Sequence, residues 1–187
     1  KRSVPSSPTP LLLASLTTLA LASACRPATP KPAPIPTRDE VATEAPPEPC
    51  TLLRWEDGDT PYVRCADGRE DPVRLLGIDT PESGFDDNSI RRARWQADLW
   101  QLSYDVVIGC GKAATAAAKE ICPEGSAIEV VGSKRDRYQR RLAYIVCAGV
   151  EVNGALVTRG AAGRYPFPGD PERPSGCSMG QASKDRD

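Results

Sequence analysis

Four charged side chains stand where local structure gives them no reason to be. Asp59 follows Asp57-Gly58, a dipeptide that makes a tight hairpin turn unaided, so the turn does not need a second aspartate. Arg74 interrupts Val73–Ile78, a run that is otherwise apolar and reads as a strand. Asp79 and Glu82 come just past the end of that strand, in Gly77-Ile78-Asp79-Thr80-Pro81-Glu82. Singly, each reads as a solvated turn or an edge-strand charge. Together they are equipment for gripping an oxyanion and a hard cation. A guanidinium makes bidentate, charge-assisted bonds to phosphate-like oxygens. Donors that are all oxygen favour Ca²⁺ or Mg²⁺ over softer metals.

Composition narrows the chemistry. The chain has 187 residues, enough for one ordinary domain plus extras. Its 24 basic and 25 acidic residues nearly cancel, so bulk charge cannot hold a polyanion and any grip must be local. Histidine is absent, which excludes Ser-His-Asp and Cys-His catalysis and every imidazole metal site. With 3 Trp, 5 Tyr and 2 Phe, a base-stacking platform of several rings is not expected.

Seven cysteines point to an oxidising compartment. The N-terminus carries Lys1 and Arg2, then a short apolar run from Leu11 to Ala22, then Ala22-Ser23-Ala24-Cys25. This is the layout of a secretory signal, and the run is too short to span a bilayer. Small residues directly before Cys25 resemble a bacterial lipoprotein signal, with Cys25 as the lipid-bearing residue. The proline-rich stretch after it is expected to stay extended as a tether. Six cysteines remain, and an even number in an exported chain implies three disulfides. Local pairing is expected: Cys50–Cys65, Cys110–Cys122 and Cys147–Cys177. A zinc cluster is disfavoured by the lack of any Cys-x-x-Cys pair. The organisation expected is a signal peptide over 1–24, a tether over 25–49, a globular domain over 50–168 and a flexible tail over 169–187.

Within the globular part, Thr51–Trp55 and Pro61–Cys65 flank the Asp57-Gly58 turn, and Val73–Ile78 is a third strand. Residues 89–102 read as a helix. Lys112–Ile121 is alanine-rich, with high helix propensity, and Pro123 follows to stop it. Ala127–Val131 and Leu142–Cys147 read as strands, and Val152–Thr158 as a short helix ending near Gly160. Five short strands with a helix between the third and fourth suit an α+β fold. The expectation is a five-stranded barrel of the oligonucleotide-binding (OB) type with two or three packed helices.

Several segments then matter together. Asp57-Gly58-Asp59-Thr60, Val73-Arg74-Leu75-Leu76-Gly77-Ile78-Asp79-Thr80-Pro81-Glu82 and Asp136-Arg137-Tyr138-Gln139-Arg140-Arg141-Leu142-Ala143-Tyr144-Ile145 closely resemble the staphylococcal nuclease-like (thermonuclease) family. Val152-Asn153-Gly154-Ala155-Leu156-Val157 with Gly160 is similar to that family's last helix. The resemblance covers roughly residues 51–165, in order. It implies a secreted, Ca²⁺-dependent endonuclease on an OB barrel, acting on DNA, with RNA left open. Matched position by position, it implies that Asp59, Asp79 and the Thr80 carbonyl ligate the cation, and that Arg74 and Arg140 contact the scissile phosphate. It further implies that Glu82 positions or deprotonates the attacking water and that Arg137 and Tyr138 lie beside the nucleotide. The chain is expected to act as a monomer, exported, and membrane-anchored if Cys25 is lipidated.

Charge calls for a divalent cation independently, calcium in particular being what the resemblance implies. Asp59, Asp79 and Glu82 against Arg74 and Arg140 leave a net negative pocket that would repel a phosphodiester, and one divalent cation reverses the sign. Two features depart from the family. Gln139 stands where the family usually has Gly, so a left-handed backbone there would cost about 1–2 kcal/mol or shift the loop carrying Arg140. The stretch after Glu82 is also longer, adding Arg91, Arg92, Arg94, Trp95 and Trp100. It reads as an extra surface helix burying its Trp side chains, with a phosphate-contacting flap as the alternative. Two rival functions are a catalytically silent OB-fold nucleic-acid-binding lipoprotein and a structural calcium-binding surface lipoprotein.

Overall fold

Strand β1 (Glu48–Trp55) shows how the barrel wall is made. Alternation buries Cys50 and Leu52, then the register against the next strand slips between Leu52 and Arg54. That bulge shifts the parity, so Trp55 faces the core and Arg54 faces solvent. The computed structural model describes residues 34–166 and 169–178, all within a unit spanning Pro32–Asp187. The expected signal peptide, Cys25 and the first part of the tether lie outside the described residues.

β1 pairs antiparallel with β2 (Pro61–Arg64) across the Asp57-Gly58 turn, and β2 pairs with β3 (Glu70–Leu75). The third strand starts and ends three residues earlier than the expected Val73–Ile78. Gly77 takes φ +73 and breaks the run, and Ile78–Asp79 forms a separate two-residue strand, β4. β1 also pairs with β5 (Ala127–Val131), and β5 with β6 (Arg141–Cys147). β3 and β6 then run parallel, with Val73 opposite Arg141 and Leu75 opposite Ala143. Five strands therefore close on themselves as an OB-fold barrel, as expected. Its interior is sealed by Leu52, Val63, Val73, Leu75, Val130, Ala143 and Ile145, all at most 1% exposed. β7 (Val150–Glu151) extends β6, and α4 (Val152–Thr158) caps the barrel through Val152 and Leu156. β8 (Gly163–Arg164) pairs with β4.

Three further helices are present among the described residues. α1 (Arg38–Glu44) lies inside the expected tether, closed by a capping box between Thr37 and Glu40. The tether is thus not extended over its last part: Tyr144 donates to the Pro36 carbonyl, and β1 begins at Glu48, ahead of the expected domain start. α2 (Asp87–Trp100) starts at the Asp86 N-cap and ends at Gln101, which is left-handed. α3 (Tyr104–Ile121) begins eight residues before the expected Lys112. Its first turns hold Val106, Val107, Ile108 and two glycines, poor helix formers. Burial of these valines overrides their propensity.

Two of the three expected disulfides are wrong. Cys50–Cys65 is formed, but Cys110 pairs with Cys177 and Cys122 with Cys147. Cys122 caps α3 and lies against the barrel, where β6 brings Cys147 into the same apolar cluster. Cys110 packs beside Cys177 in a separate cluster with Val106. The pairing also overturns the flexible tail over its described part. Besides the disulfide, Pro171 accepts from the Trp100 indole, Glu172 N–H bonds Arg164, and Gly176 N–H bonds Gly160. Residues 179–187 lie outside the described residues. Among the described helices, none is long and apolar enough to cross a membrane.

Candidate functional site

The site grows from the β1–β2 turn, the β3–β4 corner and α2. Asp57 closes the turn by accepting from the Asp59 backbone N–H at 3.0 Å. This directs Asp59 inward, where it is 1% exposed. One Asp59 oxygen takes the Thr80 N–H at 2.7 Å, and the other takes the Thr60 hydroxyl and Arg74. Arg74 points from β3 across the corner. Its fork also reaches Asp79 Oδ1 at 2.5 Å and the Ile78 carbonyl at 3.3 Å. One guanidinium therefore ties together both aspartates, each 1% exposed.

Strand register separates Arg141 from Arg140. Arg74 pairs with Leu142 across the parallel β3–β6 ladder, and Arg140 is two residues before Leu142. Arg141 pairs with Val73, which faces away from Arg74, so Arg141 points to the other side, while Arg140 lies just ahead of the strand. Arg141 is 9% exposed and serves the fold, donating to the Gly132 carbonyl at 2.5 Å and to Glu48 at 2.7 Å. The Arg140 guanidinium is held by Asp136 at 2.8 Å. Burial works to raise the Asp136 carboxyl, but its bonds to Arg140 and to the Tyr138 N–H outweigh burial and leave it lowered. Gln139 does adopt φ +66. The loop keeps its shape because Asp136 accepts from the Arg140 backbone and Arg135 bonds the Gln139 carbonyl. Tyr138 is 62% exposed, with Arg137 4.7 Å and Arg140 5.5 Å from its ring.

Glu82 leaves β4's loop toward the same pocket, and its backbone N–H is held by Gln96 at 2.9 Å. Burial pushes its carboxyl up to about 7, helped by the charges of Asp57 and Asp79 and opposed by Arg92 and Arg74. Burial thus works against the charged Glu82 that the sequence-based count of the pocket assumes. Asp57 is also raised by burial, against the pull of Arg74, Thr60 and Arg140. The Asp57 carboxylate thus lies within electrostatic reach of both Arg74 and Arg140.

Three participants were not assigned from sequence: Asp57, Arg92 and Gln96. Arg92 bonds Asp79 Oδ1 at 2.6 Å and Glu82 Oε1 at 3.0 Å. Gln96, fully buried, donates to Asp79 Oδ2 and to the Thr80 carbonyl, each at 3.0 Å. A signal was available: Gln96 is a polar residue inside the Ala93, Ala97, Trp100 stripe of an amphipathic helix. Of the added Trp side chains, Trp100 is buried but Trp95 is 39% exposed.

The oxygens fit a hard cation. A carboxylate offers about four lone-pair sites. After the bonds above, Asp59 Oδ2, Asp79 Oδ2 and the Thr80 carbonyl each keep one lone pair. Glu82 stands off on Arg92. Another cluster, Glu48 with Cys50 and Cys65, has ligand atoms within 4.8 Å of one another, but both sulfurs are locked in a disulfide and neither can be a thiolate. Across the site, four carboxylates (Asp57, Asp59, Asp79, Glu82) face three guanidiniums (Arg74, Arg92, Arg140). With all ionised the net charge is −1, the same sign as counted from sequence.

The sequence model of the family described as staphylococcal nuclease homologue matches residues 72–184, more than half of the chain. The chain belongs to that family. The match takes in Arg74, Asp79, Thr80, Glu82 and the Arg140 loop, and begins after Asp59. An uncharacterized protein of Bacillus anthracis is 30% identical over 112 residues, or 58% of this chain and 44% of that protein. This staphylococcal nuclease homologue thus spans less than half the length of that relative. The three disulfides of this family member fit an oxidising, extracytoplasmic setting.

Proposed function

We propose that this nuclease homologue is an exported, cation-dependent endonuclease that hydrolyses phosphodiester bonds of DNA with weak sequence preference, RNA being an open second substrate. The observation that carries the reading is the single Arg74 fork bridging two buried aspartates beside the Arg140 loop. Asp59, Asp79 and the Thr80 carbonyl would hold the ion, Ca²⁺ by family resemblance. When bound, the ion supplies Lewis-acid stabilisation of a phosphoryl oxygen and reverses the pocket's negative sign. Arg74 and Arg140 bind the nonbridging oxygens, whose charge grows in the transition state. Glu82 orients a water at its carboxylate and takes its proton. Arg137 and the exposed Tyr138 ring lie against the nucleotide. None of these groups reads a base edge, which is why sequence preference is weak. Export follows from the signal-like N-terminus, anchoring from lipid on Cys25, and a monomer suffices because all the groups come from one chain.

Plasmid nicking in Ca²⁺, with and without chelator, tests this. Glu82→Gln and Arg140→Ala should fold and lose cutting by about 100-fold or more. Wild-type rates in both variants refute the site assignment. A wild-type protein that retards DNA in a gel but never cuts it identifies the silent binding module instead.

A further inference from the structure

Helix α2 enters the site with two side chains one turn apart. Gln96 uses its whole carboxamide on Asp79, the Thr80 carbonyl and the Glu82 N–H. The helix under it is fixed as well. Ala93, Ala97 and Trp100 pack on Val107 and Ile108 of α3, and the Trp100 indole bonds Pro171. On this rigid base sits Arg92, whose side chain is 35% exposed, at the mouth of the pocket.

Arg92 and Arg74 converge on the same oxygen, Asp79 Oδ1, at 2.6 and 2.5 Å, and so fill both of its lone pairs. They are not equivalent. Arg74 is 14% exposed and tied to both aspartates and the Ile78 carbonyl. Arg92 has solvent on one side, and its guanidinium lies 5.2 Å from the exposed Trp95 ring, a second seat for it. Arg92 is therefore the removable one of the two positive charges on Asp79, and it also holds Glu82 at 3.0 Å.

We propose that Arg92 is a latch: a resident counter-charge on Asp79 and Glu82 that competes with the divalent cation and so sets the cation concentration the site requires. This rests on the reading above that a divalent cation is held by Asp59 and Asp79. Arg92 is a positioning residue, acting through the two carboxylates. If instead it only braces α2, its loss changes folding stability but not cation affinity.

The test is calorimetric titration of the full chain with Ca²⁺, after chelator stripping and without nucleic acid, so that it does not depend on cutting. R92Q should bind Ca²⁺ about tenfold more tightly than wild type. R91Q removes an equal charge from a neighbouring residue that, among the described residues, bonds only Asn88, and should stay within twofold of wild type. R92K keeps the charge but not the planar fork, and should fall between wild type and R92Q; it carries the test if R92Q does not fold. Unchanged affinity in R92Q and R92K overturns the latch. So does a gain in R91Q equal to that in R92Q, or no uptake of Ca²⁺ by any of the proteins. Failure of the nicking assay with the calorimetric result intact would instead remove the nuclease reading and leave the latch standing.

Discussion

Replacing Arg74 with Met separates the structural from the chemical duties of the site. The substitution keeps the length of the apolar stem and removes the fork that bridges Asp59 and Asp79. Asp79 keeps Arg92 and Gln96. Among the described residues Asp59 keeps only the Thr80 N–H and the Thr60 hydroxyl, and at 1% exposure it is shielded from water. Breaking a buried ion pair from one side typically costs 3–5 kcal/mol. The surviving partners of Asp79 place this case at the lower end, about 3 kcal/mol. At roughly 3 °C per kcal/mol for a domain of this size, Tm should fall by about 10 °C. The assay is guanidinium and thermal unfolding in chelator with disulfides intact, followed by the fluorescence of buried Trp55 and Trp100. Two companion results are required. The double variant D59N/R74M should recover most of the loss, because no buried charge is then left unpaired. Millimolar Ca²⁺ should stabilise R74M more than wild type, since a cation between the aspartates replaces the missing charge. Wild-type stability in R74M, or a double variant no more stable than R74M, refutes the buried-pair reasoning. Loss of cutting in R74M alone proves little about chemistry, because the fold is weakened as well.

Glu82 makes the metal-free protein sensitive to pH. Its carboxyl is raised from 4.5 to about 7 on folding, so the native state favours the protonated form. This contribution is complete below the unfolded value and is lost as pH rises through about 7, a span worth about 3 kcal/mol. In chelator, E82Q should therefore lose less stability than wild type between pH 4.5 and 8; parallel curves contradict it. Gln139→Gly should raise stability by about 0.5–1 kcal/mol at φ +66, relief of left-handed strain being partly offset by glycine's entropy; a destabilised variant in guanidinium unfolding contradicts it. Gly111→Ala should displace the Glu82 loop, because a Cβ there would lie 2.3 Å from the Glu82 carbonyl oxygen and 2.7 Å from that of Pro81, both backbone atoms. Cutting should drop at least tenfold with α3 still formed by circular dichroism, and unchanged kinetics would show that the loop yields freely.

The barrel strands, the Asp57-Gly58 hairpin and α4 were readable from sequence because each depends on local alternation, turn chemistry or propensity within a few residues. The segments bearing Asp59, Arg74, Asp79 and Glu82 were readable because their residue types are out of place locally, whereas Arg140 came only from the family resemblance. α1 escaped notice because prolines flank it, and the start of α3 because valines and glycines fill it.

Amino-acid order alone therefore determined which side chains are available: hard oxygen donors, arginines without histidine, and enough cysteines for three bridges. Tertiary structure decided how they meet. The parallel β3–β6 register turned Arg141 away from Arg74, and the packing of α3 on the barrel and of the C-terminal segment on α3 chose the partners of Cys110 and Cys122. The docking of α2 set Arg92 and Gln96 on carboxylates that precede them by ten residues or more. Contacts of this kind depend on burial and on the angle between elements, and a linear pattern encodes neither. The raised carboxyl of Glu82 has the same origin, since its main cause is the water excluded when these elements close around it.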